Sequence, residues 1–245
     1  MHSYETLEVK KKGNIVTAFL NRPNAGNSIN MQMVIELSNL MDIVEDSRDV
    51  SVLVIRGGEE VFCSGIDLND FSQNKPPDIY GLQKWEKMCR RFEMLKKFTI
   101  VAVQGECIGG GAQLLLLCDL GIGEKNAQLC FNEVRLGFLP GMATFRLAKY
   151  IGLGRAKNLI LTGRKIKADE AVSLGLFDKV FEQDRFVDQL QKTIEQLQPF
   201  HQVAIEMARR LLNESYSTSY EDFIGNFLAA QHRSINSDAF KKLIS

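Results

Sequence analysis

The sequence predicts an α/β fold with a helical C-terminal part, and three observations carry that prediction. Residues 50–56 (VSVLVIR) form a continuous, valine-rich apolar run, the pattern of a strand buried on both faces in a parallel sheet. Residues 100–104 (IVAVQ) repeat it, followed by a glycine-rich loop, a helical stretch and a short strand, LGIGE, which is the order of βαβ units. From about Ala143 onward the apolar spacing becomes mostly helical.

The other elements follow in chain order. Residues 4–20 alternate apolar and polar around Gly13-Asn14 and read as a β-hairpin. The turn-rich NRPNAGNSIN (21–30) leads to helical spacing over 31–45, and residues 79–97 again read as helix. Between them SQNKPPD (72–78) reads as a mobile loop, because Pro76-Pro77 cannot continue a helix. GECIGGG opens a helix over AQLLLLCD. Later helices are expected over ATFRLAKYIG, GRAKNLILTG, KADEAVSLGL, RFVDQLQKTIEQLQ and near 220–232, with Gly152, Gly163 and Gly175 as stops. There is no internal repeat and no low-complexity linker. The expected division is a core over 1–190 and a helical region over 191–245.

Composition narrows the class. The 245 residues are 45% hydrophobic and 24% charged, ordinary for a globular protein. Thirty basic and thirty acidic residues cancel, which argues against a nucleic-acid footprint. The longest strongly apolar run, 114–118, is far short of the roughly 20 residues a membrane span needs, and MHSYETLEVKKKG has no apolar signal core. Cys63, Cys89, Cys107, Cys118 and Cys130 are odd in number and contain no CxxC, which suggests free thiols in a reducing cytoplasm. His2, His201 and His232 are too scattered to suggest a zinc cluster, and no metal is expected.

Two glycine loops are the chemically suggestive segments: VFCSGID (61–67) and GECIGGGAQ (105–113). Each can present backbone N–H groups to an anion, and the second opens a helix whose N-terminus favours negative charge. Two such donors aimed at one point make an oxyanion hole able to hold a thioester enolate. Tight turns and close packing would require the same glycines. Nucleotide motifs fit poorly: GxGxxG is absent from 105–111, GxxxxGK[ST] is absent altogether, and IGLGRAK lacks the third glycine. GxSxG is also missing, so a serine hydrolase has little support, and His232 suits a surface better than a base. Glu133, between apolar flanks in LCFNEVRLGF, suits proton transfer if burial raises its pKa. Gln113 can orient water or substrate but cannot take a proton. Asp67 and Asp70 suit helix capping better than catalysis.

Taken together, NRPNAGNSIN, VFCSGIDL, VAVQGECIGGG with CDLGIG beyond it, NEVRLGFLPG and LILTGRKIKADEAVSLGLFDKV closely resemble the enoyl-CoA hydratase/isomerase (crotonase) superfamily over about residues 5–185. The resemblance implies a crotonase-like spiral of ββα units, a helical C-terminal part and a homotrimer or hexamer. It implies acyl-CoA or acyl-carrier-protein thioester substrates and no cofactor beyond the phosphopantetheine handle. The oxyanion-hole amides fall at Ile66 and Gly110, and the two acid/base positions at Gln113 and Glu133, the first having lost its carboxylate. Substrate-binding positions fall at Arg22, Ala25, Ser64 and Gly65, and at Asp67, Gly109 and Gly141. Arg22, Lys75 and Lys241-Lys242 are candidates to meet a CoA phosphate.

A lone Glu suffices for dehydration of a 3-hydroxyacyl thioester or for moving a double bond. Two subgroups are accordingly similar. One is the polyketide β-branching dehydratases, which act on 3-hydroxy-3-methylglutaryl carrier protein; YETLEV and the VFC loop resemble them, whereas LPGMATFRLAKYIG does not. The other is the Δ3,Δ2-enoyl-CoA isomerases. A related decarboxylase pattern fits poorly, because Lys75 lies too far along and Asn236 stands where a histidine would fall. Loss of a carboxylate at 113 also leaves open a non-catalytic thioester-binding subunit of a biosynthetic complex.

Overall fold

A computed structural model describes residues 3–72, 79–197 and 201–244. Lys75, and the 72–78 loop from residue 73 on, lie outside the described residues. The chain opens with the expected hairpin, β1 (Leu7–Lys12) and β2 (Ile15–Leu20), paired antiparallel from Leu7↔Leu20 to Lys12↔Ile15. Helix α1 (Met31–Asp46) is N-capped by Asn30, whose side chain accepts the Met33 N–H at 2.9 Å. Then come β3 (Val52–Arg56), β4 (Val61–Cys63), α2 (Asn69–Ser72), α3 (Ile79–Glu93), β5 (Phe98–Val103), β6 (Glu106–Ile108), α4 (Gly110–Leu115), β7 (Leu120–Glu124) and β8 (Gln128–Cys130). The remainder is α5 (Ala143–Ile151), α6 (Leu153–Thr162), β9 (Ile166–Lys167), α7 (Ala168–Ser173), β10 (Lys179–Phe181), α8 (Phe186–Gln196), α9 (Gln202–Glu214), α10 (Tyr220–Ile235) and α11 (Asp238–Ile244).

The strands form two sheets, in the orders β1-β2-β3-β5-β7-β10 and β4-β6-β8-β9. The pairs β3/β4, β5/β6 and β7/β8 each put one strand in the large sheet and the next in the small one. The first two pairs are followed by helices, so the chain winds as a spiral of ββα units. Within the large sheet every pairing after the hairpin is parallel.

The continuous apolar runs follow from burial on both faces. Leu53 and Ile55 of β3 point into the core between the sheets and α1, α3 and α4. Val52 and Val54 point to the opposite face, where Phe186, Leu190 and Ile194 of α8 cover them. Helix α8 therefore crosses residue 190 and packs on the sheet. β7 can be glycine-rich because Phe177 lies against it: a β-carbon at Gly123 would come within 2.4 Å of the Phe177 ring.

Several elements differ from the sequence expectation. The helix expected over AQLLLLCD ends at Leu115, after six residues. Leu114 to Leu117 are all buried, so this run fills core instead of extending a helix. The second sheet lies in segments that read as loops, since strands of three residues are too short to show alternation. Helix α9 is not expected from the apolar spacing. It is docked by buried Arg209, whose Nε donates to Asp119 Oδ1 at 2.6 Å, with further bonds to Thr99 Oγ1 and the Leu95 carbonyl.

The five cysteines are all buried free thiols, and burial pushes Cys63 up to about 12. Among the described residues, no helix is long and apolar enough to cross a membrane. Because Arg209 ties α9 to the ends of α3 and β5, Arg209→Ala should destabilise the protein by roughly 3 kcal/mol. Urea unfolding would read this as a lower midpoint, and a midpoint equal to wild type would show that the contact is not a structural lock.

Candidate active site

The turn at residues 22–30 and the loop at 61–67 are built as one unit. Arg22 N–H donates to Asn27 Oδ1 at 2.9 Å. The Arg22 guanidinium reaches the Ser28 carbonyl at 2.6 Å and Asp67 Oδ2 at 2.8 Å. Ser64 N–H donates to the Gly26 carbonyl at 2.9 Å, and Ser64 Oγ to the Ala25 carbonyl at 3.4 Å. Asp67 Oδ1 accepts the Asn69 N–H at the start of α2, and Asp70 accepts the Met31 N–H at the start of α1. Both carboxylates therefore cap helices, as the sequence suggested. Burial pushes the Asp67 carboxyl up, but the bonds from Arg22 and Asn69 outweigh it and hold Asp67 below its ordinary range. Arg22 is thus committed to loop architecture, which makes it a poor free cation for a phosphate.

A short parallel bridge sets the next layer. Ile29 N–H donates to the Gly65 carbonyl at 2.8 Å, and Asp67 N–H to the Ile29 carbonyl at 2.9 Å. Alternation of the bridge turns the Ile66 N–H away from Ile29. Gly109 N–H donates to the Cys130 carbonyl at 2.8 Å, and the chain then enters α4 at Gly110. The Gly110 N–H is the first of the helix and has no intrahelical acceptor. The two loops touch here. A β-carbon at Gly109, which has φ +52°, would lie 3.6 Å from Gly65 Cα and 3.1 Å from Glu133 Oε1. Any other residue at 109 would push the carboxylate away. Gly110 is equally confined, with Ile29 Cδ1 2.9 Å from where its β-carbon would be.

Glu133 begins a short 3-10 turn after β8 and is 2% exposed. Among the described residues, five buried side-chain polar atoms lack a hydrogen-bond partner; three of them are Gln113 Oε1 and both oxygens of Glu133. A buried carboxylate left unsatisfied is costly, and such groups concentrate where a substrate completes the site. Burial raises the Glu133 pKa above its ordinary value; its own backbone N–H and the nearby Gln113 amide oppose the shift without cancelling it. Gln113 is 1% exposed, one turn into α4. Gly141, at φ +48°, abuts it: a β-carbon there would lie 3.4 Å from Gln113 Oε1 and 2.9 Å from Glu86 Oε1.

The structure thus gathers Gly65, Gly109, Gly110, Gln113, Glu133 and Gly141, with Ile66 on the facing loop. The remaining candidates are placed elsewhere. Ala25 lies in the 22–30 turn and Ser64 in the 61–67 loop beside Gly65, the two joined by the Ser64 Oγ bond to the Ala25 carbonyl. Asn236 caps α10, its Nδ2 donating to the His232 carbonyl at 2.8 Å. His232, Lys241 and Lys242 are exposed on α10 and α11. The sequence reading missed Glu86 of α3, whose carboxylate meets the Met142 N–H at 3.2 Å and Arg146 at 3.0 Å. Only the helical spacing of Glu86 and Glu93, which puts both against Arg146, hinted at it.

The chain is similar to known proteins in sequence and in fold. The family model for enoyl-CoA hydratase/isomerase matches residues 10–244. The chain is 30% identical to a crotonyl-CoA hydratase of Syntrophomonas wolfei, over 97% of this chain and 89% of that protein. It is 32% identical to a peroxisomal Δ(3,5)-Δ(2,4)-dienoyl-CoA isomerase of Arabidopsis thaliana, over 74% and 71% respectively. A candidate enoyl-CoA hydratase of Thermobifida fusca, solved in complex with CoA, superposes with a TM-score of 0.84 at 28% identity, over 92% of this chain and 91% of that one. The two-sheet spiral, the paired glycine loops and these matches together make this chain a member of the enoyl-CoA hydratase/isomerase family.

Proposed function

We propose that the protein interconverts 2-enoyl and 3-hydroxyacyl thioesters, with Glu133 moving the proton at the α-carbon. The observation that carries this reading is the buried Glu133 carboxylate, both oxygens without a hydrogen-bond partner, packed against Gly109 where the two glycine loops meet. In this reading the thioester oxygen sits between the Ile66 and Gly110 N–H groups. Negative charge that develops there as the enolate forms is held by preorganised dipoles at a helix start. Burial raises the Glu133 pKa, which suits the carboxyl to exchanging a proton with the α-carbon. Gly65 and Gly109 let the acyl group approach the backbone, and Gly141 leaves room beside Gln113.

The handle is a phosphopantetheine thioester, and acyl-CoA is supported by the CoA-bound structural relative. A 3-hydroxy-3-methylglutaryl group on a carrier protein is the finer alternative, resting on the YETLEV and VFC resemblance alone. Assembly as a homotrimer or hexamer is part of the same proposal and rests on family analogy. An isomerase reading has one specific support: Gln113 cannot carry a proton, and a single carboxylate can shuttle one between C2 and C4.

The decisive test is a thioester panel in water and in deuterium oxide, read by mass spectrometry, containing crotonyl-CoA, a 3-enoyl-CoA, and 3-hydroxy-3-methylglutaryl on CoA and on carrier protein. Gain of one water by crotonyl-CoA is expected. A product of unchanged formula with a moved double bond would replace hydration by isomerisation. Glu133→Gln should lower kcat by about 10²–10⁴ with little change in KM; full activity would refute the assignment.

The same variant should behave oppositely in stability. A carboxyl whose folded pKa is raised opposes folding once it ionises, so its contribution is favourable at low pH and lost as pH rises through the folded pKa. Glu133→Gln should therefore raise the urea midpoint at pH 7.5, and the gain should shrink toward pH 4. A gain independent of pH would show that burial of charge is not its source.

A further inference from the structure

The space beside Gly141 is bordered by acceptor oxygens of two side chains, with the Gln113 Nε2 slightly farther off, at 3.8 Å from where a β-carbon would lie. A β-carbon at Gly141 would lie 2.9 Å from Glu86 Oε1 and 3.4 Å from Gln113 Oε1. Gln113 Oε1 is buried and accepts nothing. Among the described residues, Glu86 Oε1 accepts one bond, from the Met142 N–H at 3.2 Å, which leaves acceptor capacity on that oxygen. Acceptors from two side chains beside one confined space call for a group with two donors, and water is the smallest one. Glu86 also borders a cavity of about 1080 Å³ lined in part by Met142, Arg146 and Leu116.

We infer that Glu86 supplies the second carboxylate of the site, holding with Gln113 the water that adds to the β-carbon and taking its proton. This inference rests on the enoyl-thioester reading above and deepens it. Glu86 is held in place from behind. Arg146, itself buried, donates to Glu86 Oε2 at 3.0 Å and to Glu93 Oε1 at 2.7 Å. Glu93 also meets Arg90 at 3.4 Å, so Arg146 is left to hold Glu86 while the four side chains balance in formal charge.

In hydration the water oxygen pair forms the C3–O bond while the C2=C3 π pair moves toward the thioester oxygen. One water proton passes to Glu86 Oε1. The α-carbon then takes the proton carried by Glu133, forming the C2–H bond and leaving Glu133 as carboxylate. The two glutamates return to their starting states by exchanging protons with solvent, so one water is added and nothing is oxidised or reduced. Carboxylates with separate environments divide the acid and base roles.

The test separates water chemistry from α-proton chemistry in the full-length protein. Crotonyl-CoA hydration reports both carboxylates, whereas exchange of the α-protons of butyryl-CoA in deuterium oxide needs no attacking water. Glu86→Gln keeps an acceptor for Met142 N–H and should cut hydration by about 10²-fold while leaving α-exchange within about threefold of wild type. Glu93→Gln, which disturbs Arg146 from its other side, should leave both rates near wild type and so controls for damage to the cluster. Unchanged hydration in Glu86→Gln would overturn the inference. Equal losses of both rates in Glu86→Gln and Glu93→Gln would overturn it too, because Glu86 would then be only a structural partner of Arg146. Wild-type exchange without hydration would overturn the role of Glu86 and leave that of Glu133 standing. α-Exchange undiminished in Glu133→Gln would instead overturn the reading on which the inference rests.

Discussion

The close approach of two glycine loops is the constraint on which the site depends. Gly65 and Gly109 come so near that a β-carbon on Gly109 would be in van der Waals contact with Gly65 Cα. Backbone bonds hold that approach from both sides, Ile29 gripping Gly65 and the Cys130 carbonyl gripping Gly109. One consequence is that Ile66 and Gly110 present their N–H groups from adjoining backbones. Another is that Glu133, arriving from β8, packs directly against Gly109. The spiral of ββα units makes this possible, because β4, β6 and β8 lie side by side and deliver the three segments to one place.

The energetics run against stability at this point and in its favour elsewhere. A carboxylate buried without a partner, beside a glutamine whose acceptor is also unsatisfied, is unfavourable in a folded chain. The cost is tolerated because the surrounding core is extensive. The large sheet is covered on both faces, by α1, α3 and α4 on one side and by α8 on the other. Sites that must bind a charged or charge-developing group are commonly less stable than they would be if optimised for folding alone.

Three arginines stand out among those that fasten distant segments. Arg22 joins the 22–30 turn to Asp67, Arg146 joins α5 to α3 through Glu86 and Glu93, and Arg209 joins α9 to Asp119. Each offers a planar fork that meets several oxygens at once, which a lysine cannot reproduce. Of the three, only Arg22 stands out in the sequence, as a substrate-binding or phosphate-contact candidate. Its actual partners lie 6 and 45 residues along the chain, and those of Arg146 lie 53 and 60 residues away. No local pattern encodes such pairings.

The sequence by itself determined the α/β class, the hairpin at Gly13-Asn14, the doubly buried strands, most helices and the family. Each of these depends on periodicity, turn residues or short motifs that act within a few neighbours. It also pointed to Glu133 and to the two glycine loops, because an acid between apolar flanks and glycines after buried strands are local signals. The tertiary structure decided the rest. It made a second sheet from three-residue strands too short to alternate visibly, cut α4 to six residues because Leu114 to Leu117 fill core, and turned Arg22 and Asp67 into loop fasteners. It also brought Glu86 to Gly141 and Gln113, across two turns of the spiral. Convergence of that kind depends on how distant elements pack, and packing is a property of the whole fold.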